Sequence, residues 1–412
     1  MVIVYRTMNK KKLFLWSLYD FANSIAFINF VLYFATWIVV NGGLSDFWYN
    51  AIFAIATVML FFSAPSLAAF TDKHGGRKFF LNISTIGTFV CYGLAAIFSG
   101  FSEPNIFLIA ILFLIGQYFY QLAFIFYNPM LEEIADTSHR ARASGIGQFS
   151  NALGQVVGLL ITLPLSDSRL APLIPSVIIF FVLALPMMIF YKDSKPKEKR
   201  VSFQILKSET IIFKKKFFTF MTLSLATPML LAFFFLSDAV ITASNNYSIY
   251  MERVFSVPDK TKSILLMAIL IMSALGGIVA GWIGDRIGVL KTFKIILVGW
   301  IIALPAVALA PNFTVFIITT VLVGVLIGSM WATSRAYLST LLSSEEMGYG
   351  FSFYTLSERF STFLGPLAWG GVIWFFGTEP FSYKIAMITM TIFVIIAFII
   401  LHFWKRPLIV SN

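Results

Sequence analysis

The chain has 412 residues, of which 59% are hydrophobic and only 12% charged, and its mean hydropathy is +0.87. A water-soluble surface cannot be built from so few charges, so a soluble enzyme is excluded and an integral membrane protein is indicated. The net charge of +11 calls for no nucleic-acid partner, because basic cytoplasmic connections and attraction to anionic lipid account for it.

In chain order, twelve apolar runs come close to or exceed the roughly 20 residues that a helix needs to cross hydrocarbon. They are Leu13–Val40, Phe47–Phe70, Phe79–Gly100, Asn105–Asn128, Ser144–Leu165, Leu173–Tyr191, Phe217–Ile241, Ser263–Gly284, Thr292–Ala310, Thr314–Leu338, Phe351–Phe376 and Tyr383–Phe403. The expected fold is therefore all-α with twelve transmembrane helices. Lys10, Lys11 and Lys12 precede the first run as the basic region of a secretory signal would, but its length and the internal Asp20 point to a retained anchor. Five basic residues, Arg169, Arg253, Lys260, Lys262 and Lys384, fall on one side of this arrangement. Arg335 and Arg359 lie within runs and all the others fall on the opposite side, so both termini are expected in the cytoplasm and the chain in the cell membrane.

The single cysteine, Cys91, lies within the third run, so an intramolecular disulfide is excluded. His74, His139 and His402 sit at run ends without ligand partners nearby in sequence, and no metal site or cofactor is expected. There is no phosphate-binding G-x-x-x-x-G-K-[ST] loop, no H-E-x-x-H and no nucleophile with a base, which argues against a pump or an intramembrane enzyme. The basic stretch Lys192–Lys216 divides the runs six and six, giving an N-terminal half over 1–191, a linker over 192–216 and a C-terminal half over 217–412. A duplicated architecture leaves a sequence echo. Here "DKHGGRK" (Asp72–Lys78) follows the second run, and "GWIGDRIGVLK" (Gly281–Lys291) follows the eighth, at the matching place in each half.

These two stretches resemble the signature loop of the major facilitator superfamily. The second copy carries Gly281, Asp285, Arg286, Gly288 and Lys291 in place. The first has Asp72, Gly76, Arg77 and Lys78, but it departs with Ala68 at the small-residue position and an extra residue giving Gly75-Gly76. A tight turn between helices needs glycine, and the acid can accept from a helix N-terminus or an arginine. The resemblance implies two pseudo-symmetric six-helix halves working by alternating access. It also implies a cavity lined by the first, fourth, seventh and tenth helices, with the third, sixth, ninth and twelfth facing lipid.

The distribution of polar residues agrees, since polar groups within the membrane should face protein or water. The first run carries Asp20, Asn23 and Ser24; the fourth Gln117, Gln121 and Asn128 with Tyr120 and Tyr127; the seventh Asp238, Thr242 and Asn245; the tenth Gly324, Gly328, Trp331 and Arg335. The sixth and ninth are almost purely apolar. Glycines recur in the fifth, eighth and eleventh runs at Gly147, Gly154 and Gly158; Gly276, Gly277 and Gly281; and Gly365, Gly370 and Gly371, spacings that let backbones approach closely.

"LYDFANS" (Leu18–Ser24), "FFFLSDAVIT" (Phe233–Thr242), "SRAYLSTLL" (Ser334–Leu342) and "FLGPL" (Phe363–Leu367) together resemble a branch called the unknown major facilitator family, which includes fungal vacuolar amino-acid effluxers linked to autophagy. Glu358 beside Arg359 departs from the small or single basic residue expected there. The resemblance implies a secondary transporter, working as a monomer, that releases an amino-acid-like solute. A lipid or amphiphile transporter on the same fold is the alternative. The expected solute contacts are Asn23, Phe27, Gln117, Tyr120, Gln121, Tyr127, Asn245 and Trp331. Asp20 and Glu358 are expected to oppose Arg335 and Arg359 as an ionic inner gate, the alternative being a static salt bridge. Asp238, in a polar stretch without a basic neighbour, is the candidate for proton coupling, and a hydrogen-bonded helix cap is its alternative. Expected partners are thus a small solute, the bilayer and protons.

Overall fold

The computed structural model describes residues 8–136, 139–193, 203–343 and 346–404. The regular elements in these segments are helices. They run α1 (Lys10–Asn29), α2 (Asp46–His74), α3 (Arg77–Ser99), α4 (Ile106–Tyr127), the single turn α5 (Leu131–Ile134), α6 (Arg140–Thr162), α7 (Leu173–Phe190) and α8 (Phe203–Leu223). They continue with α9 (Thr227–Asn245), α10 (Tyr247–Phe255), α11 (Asp259–Ile287), α12 (Val289–Ala308), α13 (Phe313–Leu341), α14 (Met347–Phe360), α15 (Leu364–Phe376) and α16 (Pro380–Phe403). The π-helical turns Phe30–Phe34 and Trp37–Asn41 prolong α1 into one span from Lys10 to Asn41. Part of the expected linker, 194–202, lies outside the described residues, and α8 begins within the rest of it.

Helix starts follow from short polar side chains at the loop boundaries. Asn9, Ser45, Asn105 and Asn312 each accept from the backbone N–H three residues on, covering a donor that the first turn leaves open. The turn between α2 and α3 requires positive φ at Gly75 and Gly76, 70° and 87°, which glycine adopts without a Cβ clash.

Eleven helices among the described residues are long and apolar enough to cross a membrane. The eleventh expected crossing, Phe351–Phe376, is discontinuous, since α14 and α15 are separated by Ser361, Thr362 and Phe363. Pro366 is the third residue of α15, so its ring would collide with the carbonyl of Thr362 if the helix ran on. The seventh expected run is interrupted in the same way at Ser224–Ala226, ahead of Pro228, so the crossing is α9 and reaches Asn245 instead of ending at Ile241.

The chain forms two compact units. One comprises Met1–Phe213 together with Asn245–Leu270, and the other Lys214–Ser244 together with Ile271–Asn412. The first division falls inside the expected linker, while the segment around α10 groups with the first six spans. In the first unit α1 is the most deeply enclosed span and packs on α6 and α7, α4 packs on α2 and α3, and α3 packs on α7. In the second, α12 packs on α13 and α16, and α15 on α16. Exposed apolar stripes such as Ile174, Ile178 and Val182 on α7, and Ile392, Ile395 and Ile399 on α16, suit contact with lipid tails. Similar stripes run along α2, α3, α11 and α12.

Close backbone approach explains part of the glycine pattern. A Cβ at Gly154 of α6 would collide with the backbone of Phe21 in α1, and one at Gly328 of α13 with the backbone of Ser273 in α11, whereas nothing lies within 4 Å of one at Gly281. Gly154→Ala and Gly328→Ala are expected to destabilise by about 1–3 kcal/mol each, the usual cost of overpacking. Melting in detergent checks this, with Gly281→Ala expected to stay close to the wild type.

Candidate functional site

Two stacked aromatic pairs join α1 to α4. Trp16 lies on Tyr127 with centroids 4.6 Å apart, and Phe27 on Tyr120 at 4.9 Å. The first pair is also tied by hydrogen bonds in both directions, from the Trp16 indole N–H to the Tyr127 carbonyl and from the Tyr127 hydroxyl to the Trp16 carbonyl, each 3.0 Å. Tyr127 therefore spends its hydroxyl on α1 and is fully buried. Between the two pairs α1 carries Asp20, Asn23 and Ser24, all buried. The Asn151 side-chain amide donates to Asp20 Oδ1 at 2.9 Å, and Gln155 donates to Asn151 Oδ1 at 2.7 Å, so a polar chain crosses from α1 onto α6. Asn23 Nδ2 and, on α4, Gln117 Nε2 are buried without a hydrogen-bond partner. Gln121 and Tyr120 are buried on the same helix.

Asn151 and Gln155 escaped the sequence reading. They stand four apart on a helix whose glycines drew attention instead, and their spacing places them on one face. Asn245 is buried, and its backbone carbonyl accepts from the Tyr49 hydroxyl at 3.0 Å.

The second unit holds the remaining expected residues. Asp238 of α9 is fully buried, and its Oδ2 accepts from the backbone N–H groups of Leu364 at 3.1 Å and Gly365 at 2.9 Å. The carboxylate thus caps α15 where the crossing is interrupted, and Oδ1 is left without a hydrogen-bond partner. A Cβ at Gly365 would lie 2.7 Å from that oxygen and closer still to Thr242, so only glycine fits beside it. Trp331 of α13 meets Phe233 edge-on at 5.5 Å, and Phe233 stacks on Tyr354 at 4.3 Å. The Tyr354 hydroxyl is 2.8 Å from Ser334 Oγ, and the Arg335 guanidinium stands 6.0 Å from the Tyr354 ring. Glu358 and Arg359 pair with each other at 2.8 Å. Of the expected gate, Asp20 belongs to the first unit and Arg335, Glu358 and Arg359 to the second.

The two signature loops differ in their surroundings. In the first, Arg77 pairs with Asp72 at 2.6 Å, donates to the Pro129 carbonyl at 3.0 Å and lies 3.7 Å from Glu133, which also takes Lys12 at 3.5 Å and the Tyr191 hydroxyl at 3.4 Å. Lys78 donates its backbone N–H to Asp193 and its ammonium to the Ile189 carbonyl. Burial, with Glu133 nearby, pushes the Asp193 carboxyl up, while the Lys78 N–H acts in the opposite direction. In the second loop Asp285, Arg286 and Gly288 are exposed, and Arg286 covers the exposed Trp282 ring at 3.6 Å. No group of three or more His, Cys, Asp or Glu suited to a metal ion occurs among the described residues.

A membrane fold of two helical units, each carrying a copy of the same short loop, with polar side chains gathered on enclosed helices, is the architecture of a solute carrier. The chain belongs to the Major Facilitator Superfamily, whose profile matches residues 17–242 and 229–409. It is 25% identical over 328 residues to an uncharacterized protein of Aquifex aeolicus (strain VF5), covering 78% of this chain and 79% of that one. It is also 24% identical over 389 residues to the uncharacterized MFS-type transporter YxiO of Bacillus subtilis (strain 168), covering 85% and 86%. Among solved structures it resembles a bacterial homolog of the human lysosomal transporter Spinster (TM-score 0.72, 13% identity, 94% of this chain and 95% of that one). It likewise resembles the nucleoside transporter NupG (TM-score 0.70, 12% identity, 96% and 100%). A third likeness is to a D-xylose-proton symporter (TM-score 0.64, 14% identity, 93% and 96%). These structural likenesses establish the fold.

Because Arg77 ties three groups together and Arg286 covers only an exposed ring, Arg77→Ala is expected to lower the melting temperature by several degrees and Arg286→Ala by less than about one. A shift of 1 kcal/mol corresponds to roughly 2–4 °C for domains of 150–250 residues. Parallel melts of the two variants in the same detergent check the difference.

Proposed function

We propose that the chain is a secondary transporter that exports or releases a small amino-acid-like solute by alternating access, with a proton carried at Asp238. The observation that carries this reading is the pair of buried, unpartnered amide donors, Asn23 Nδ2 and Gln117 Nε2, together with the stacked Phe27 and Tyr120 on the same two helices. A buried polar group without a partner costs on the order of 1–3 kcal/mol, a cost that a polar solute or water held there removes. Aromatic walls with a few oriented donors are what a site for a small polar molecule needs. Gln121, Tyr120 and Asn23 of the first unit are its solute contacts, and in the second unit Trp331 is the aromatic contact assigned to the solute. In this reading the protein works as a monomer in the cell membrane with both termini in the cytoplasm. Asp20, Arg335, Glu358 and Arg359 make and break charge contacts as the inner side opens and closes.

Asp238 suits coupling because it joins a carboxylate to a break in a membrane helix. Its ionised form accepts from two N–H groups at the start of α15, where the helix dipole favours negative charge. Protonation removes that charge and weakens the cap, which links proton occupancy to the geometry of α14 and α15.

The test is the melting temperature of purified protein against amino acids, small peptides, sugars, organic acids and cationic drugs at two pH values. Amino acids are expected to stabilise saturably, by about 2.7 kcal/mol at a hundred times the dissociation constant. Asp238→Asn keeps an acceptor for α15 and is expected to fold and bind but to lose the pH dependence of transport, whereas Asp238→Ala loses the cap and melts lower. Stabilisation by lipid-like molecules alone would overturn the amino-acid reading. Wild-type pH dependence in Asp238→Asn would overturn the coupling role.

A further inference from the structure

The segment Asn245–Leu270 follows the seventh run in sequence yet packs within the unit of the first six spans. Most of its attachments are neutral hydrogen bonds. Asn50 and Asn246 exchange side-chain amide bonds at 2.8 and 3.0 Å, Ser248 donates to the Leu32 carbonyl and contacts Thr36, and Tyr33 meets Ser263 at 2.8 Å. At the end of α1 remote from the first signature loop, these attachments finish in a ring of alternating charge. Arg169 pairs with Glu252 at 2.7 Å and with Asp259 at 2.8 Å, and Lys262 pairs with the same two acids at 2.5 and 2.6 Å. The Arg169 fork also donates to Asn41 at the close of the long first span. Burial by itself would raise the Glu252 carboxyl, but the bonds from Lys262 and Arg169 outweigh it and hold the group below its ordinary value. Its contribution is therefore present above the ordinary glutamate pKa and lost only as pH falls through the lowered value.

The ring divides unequally. Glu252, Asp259 and Lys262 all belong to the Asn245–Leu270 segment, and Arg169, in the connection ahead of α7, is the ring's one member from outside it. The Lys262 side chain is 0% exposed, whereas that of Arg169 is 19% exposed and borders a cavity of about 700 Å³ lined also by Trp37, Asn41, Asp167 and Lys260. If Arg169 withdraws, Lys262 keeps a bond to each acid, the ring passes from neutral to a net charge of −1 shared by Glu252 and Asp259, and the departing guanidinium moves toward water. Breaking a buried pair is costly chiefly because an uncompensated charge remains behind. Because Lys262 stays bonded to both acids, this division lessens that cost.

We propose that Arg169 is a reversible clasp that fastens the Asn245–Leu270 segment to the first six spans and releases it when this side of the protein opens during transport. The proposal rests on the carrier reading for its purpose, but its test needs no solute. In a Cys91→Ser background, Ser263→Cys reports on the fastened segment and Thr85→Cys, buried against Tyr19 at the other end, serves as the control. Both are labelled in detergent with a polar thiol reagent. Arg169→Ala is expected to accelerate labelling of Ser263→Cys at least fivefold and to leave Thr85→Cys unchanged, and Arg169→Lys to give an intermediate rate. Unchanged rates at both positions, or acceleration at both, would overturn the clasp, the latter because it would mean that Arg169 merely holds the fold together. If Arg169→Ala does not fold, Arg169→Lys decides alone by the same comparison. Failure of the amino-acid reading would leave this pattern intact, so the two outcomes are separable.

Discussion

Inside hydrocarbon every backbone N–H and C=O needs a partner from the protein itself, and this constraint shapes the rest of the structure. Continuous helices meet it along most of the chain. The interruption at Ser361–Phe363 does not, because the first N–H groups of α15 lose their helical acceptors there. Asp238 supplies the acceptor from α9, and Gly365 leaves room for it. One buried carboxyl group thereby repairs a broken helix.

In the first unit the corresponding organising element is α1. Stacked rings fix it to α4, glycines on α6 admit its backbone closely, Tyr19 bonds Thr85 of α3 and Asn29 bonds Thr162 of α6. Its two ends are anchored by charge of different character. Near Lys12, the first signature loop knits α3, α5 and the close of α7 through Arg77, Lys78 and Glu133. Near Asn41, the Arg169 ring reaches the Asn245–Leu270 segment that follows α9. Between these anchors Asn23 Nδ2 and, on α4, Gln117 Nε2 are buried without a hydrogen-bond partner.

Much of the fold was legible from run length alone. Apolar stretches and a repeated loop specify an all-helical membrane fold, and the structure has that fold, with eleven candidate spans among the described residues. The two helix breaks were not visible to hydropathy, which counts apolar side chains and ignores the missing N–H of proline. Pro228 and Pro366 were the available signals. Buried polar positions were legible where polar residues interrupt an apolar run, as at Asp20, Asn23, Gln117 and Asp238. Pairings were not legible where partners lie far apart in the chain. Asp259 stands three residues ahead of Lys262, within helical reach, but nothing near Arg169 indicated that it would close a ring with Glu252 and Asp259. Tyr127 shows the converse: its place on a polar face suggested a solute contact, and its hydroxyl is taken by α1.

The most direct test of an alternating-access carrier is solute counterflow in proteoliposomes. Vesicles loaded with an unlabelled amino acid that stabilises the protein are diluted into a trace of the same solute in labelled form. The account predicts a transient accumulation of label above its equilibrium level, because a carrier returns faster with solute bound than without, and predicts its loss when the vesicles are loaded with a solute that does not bind. Label that only equilibrates, at a rate indifferent to what the vesicles contain, would contradict the account.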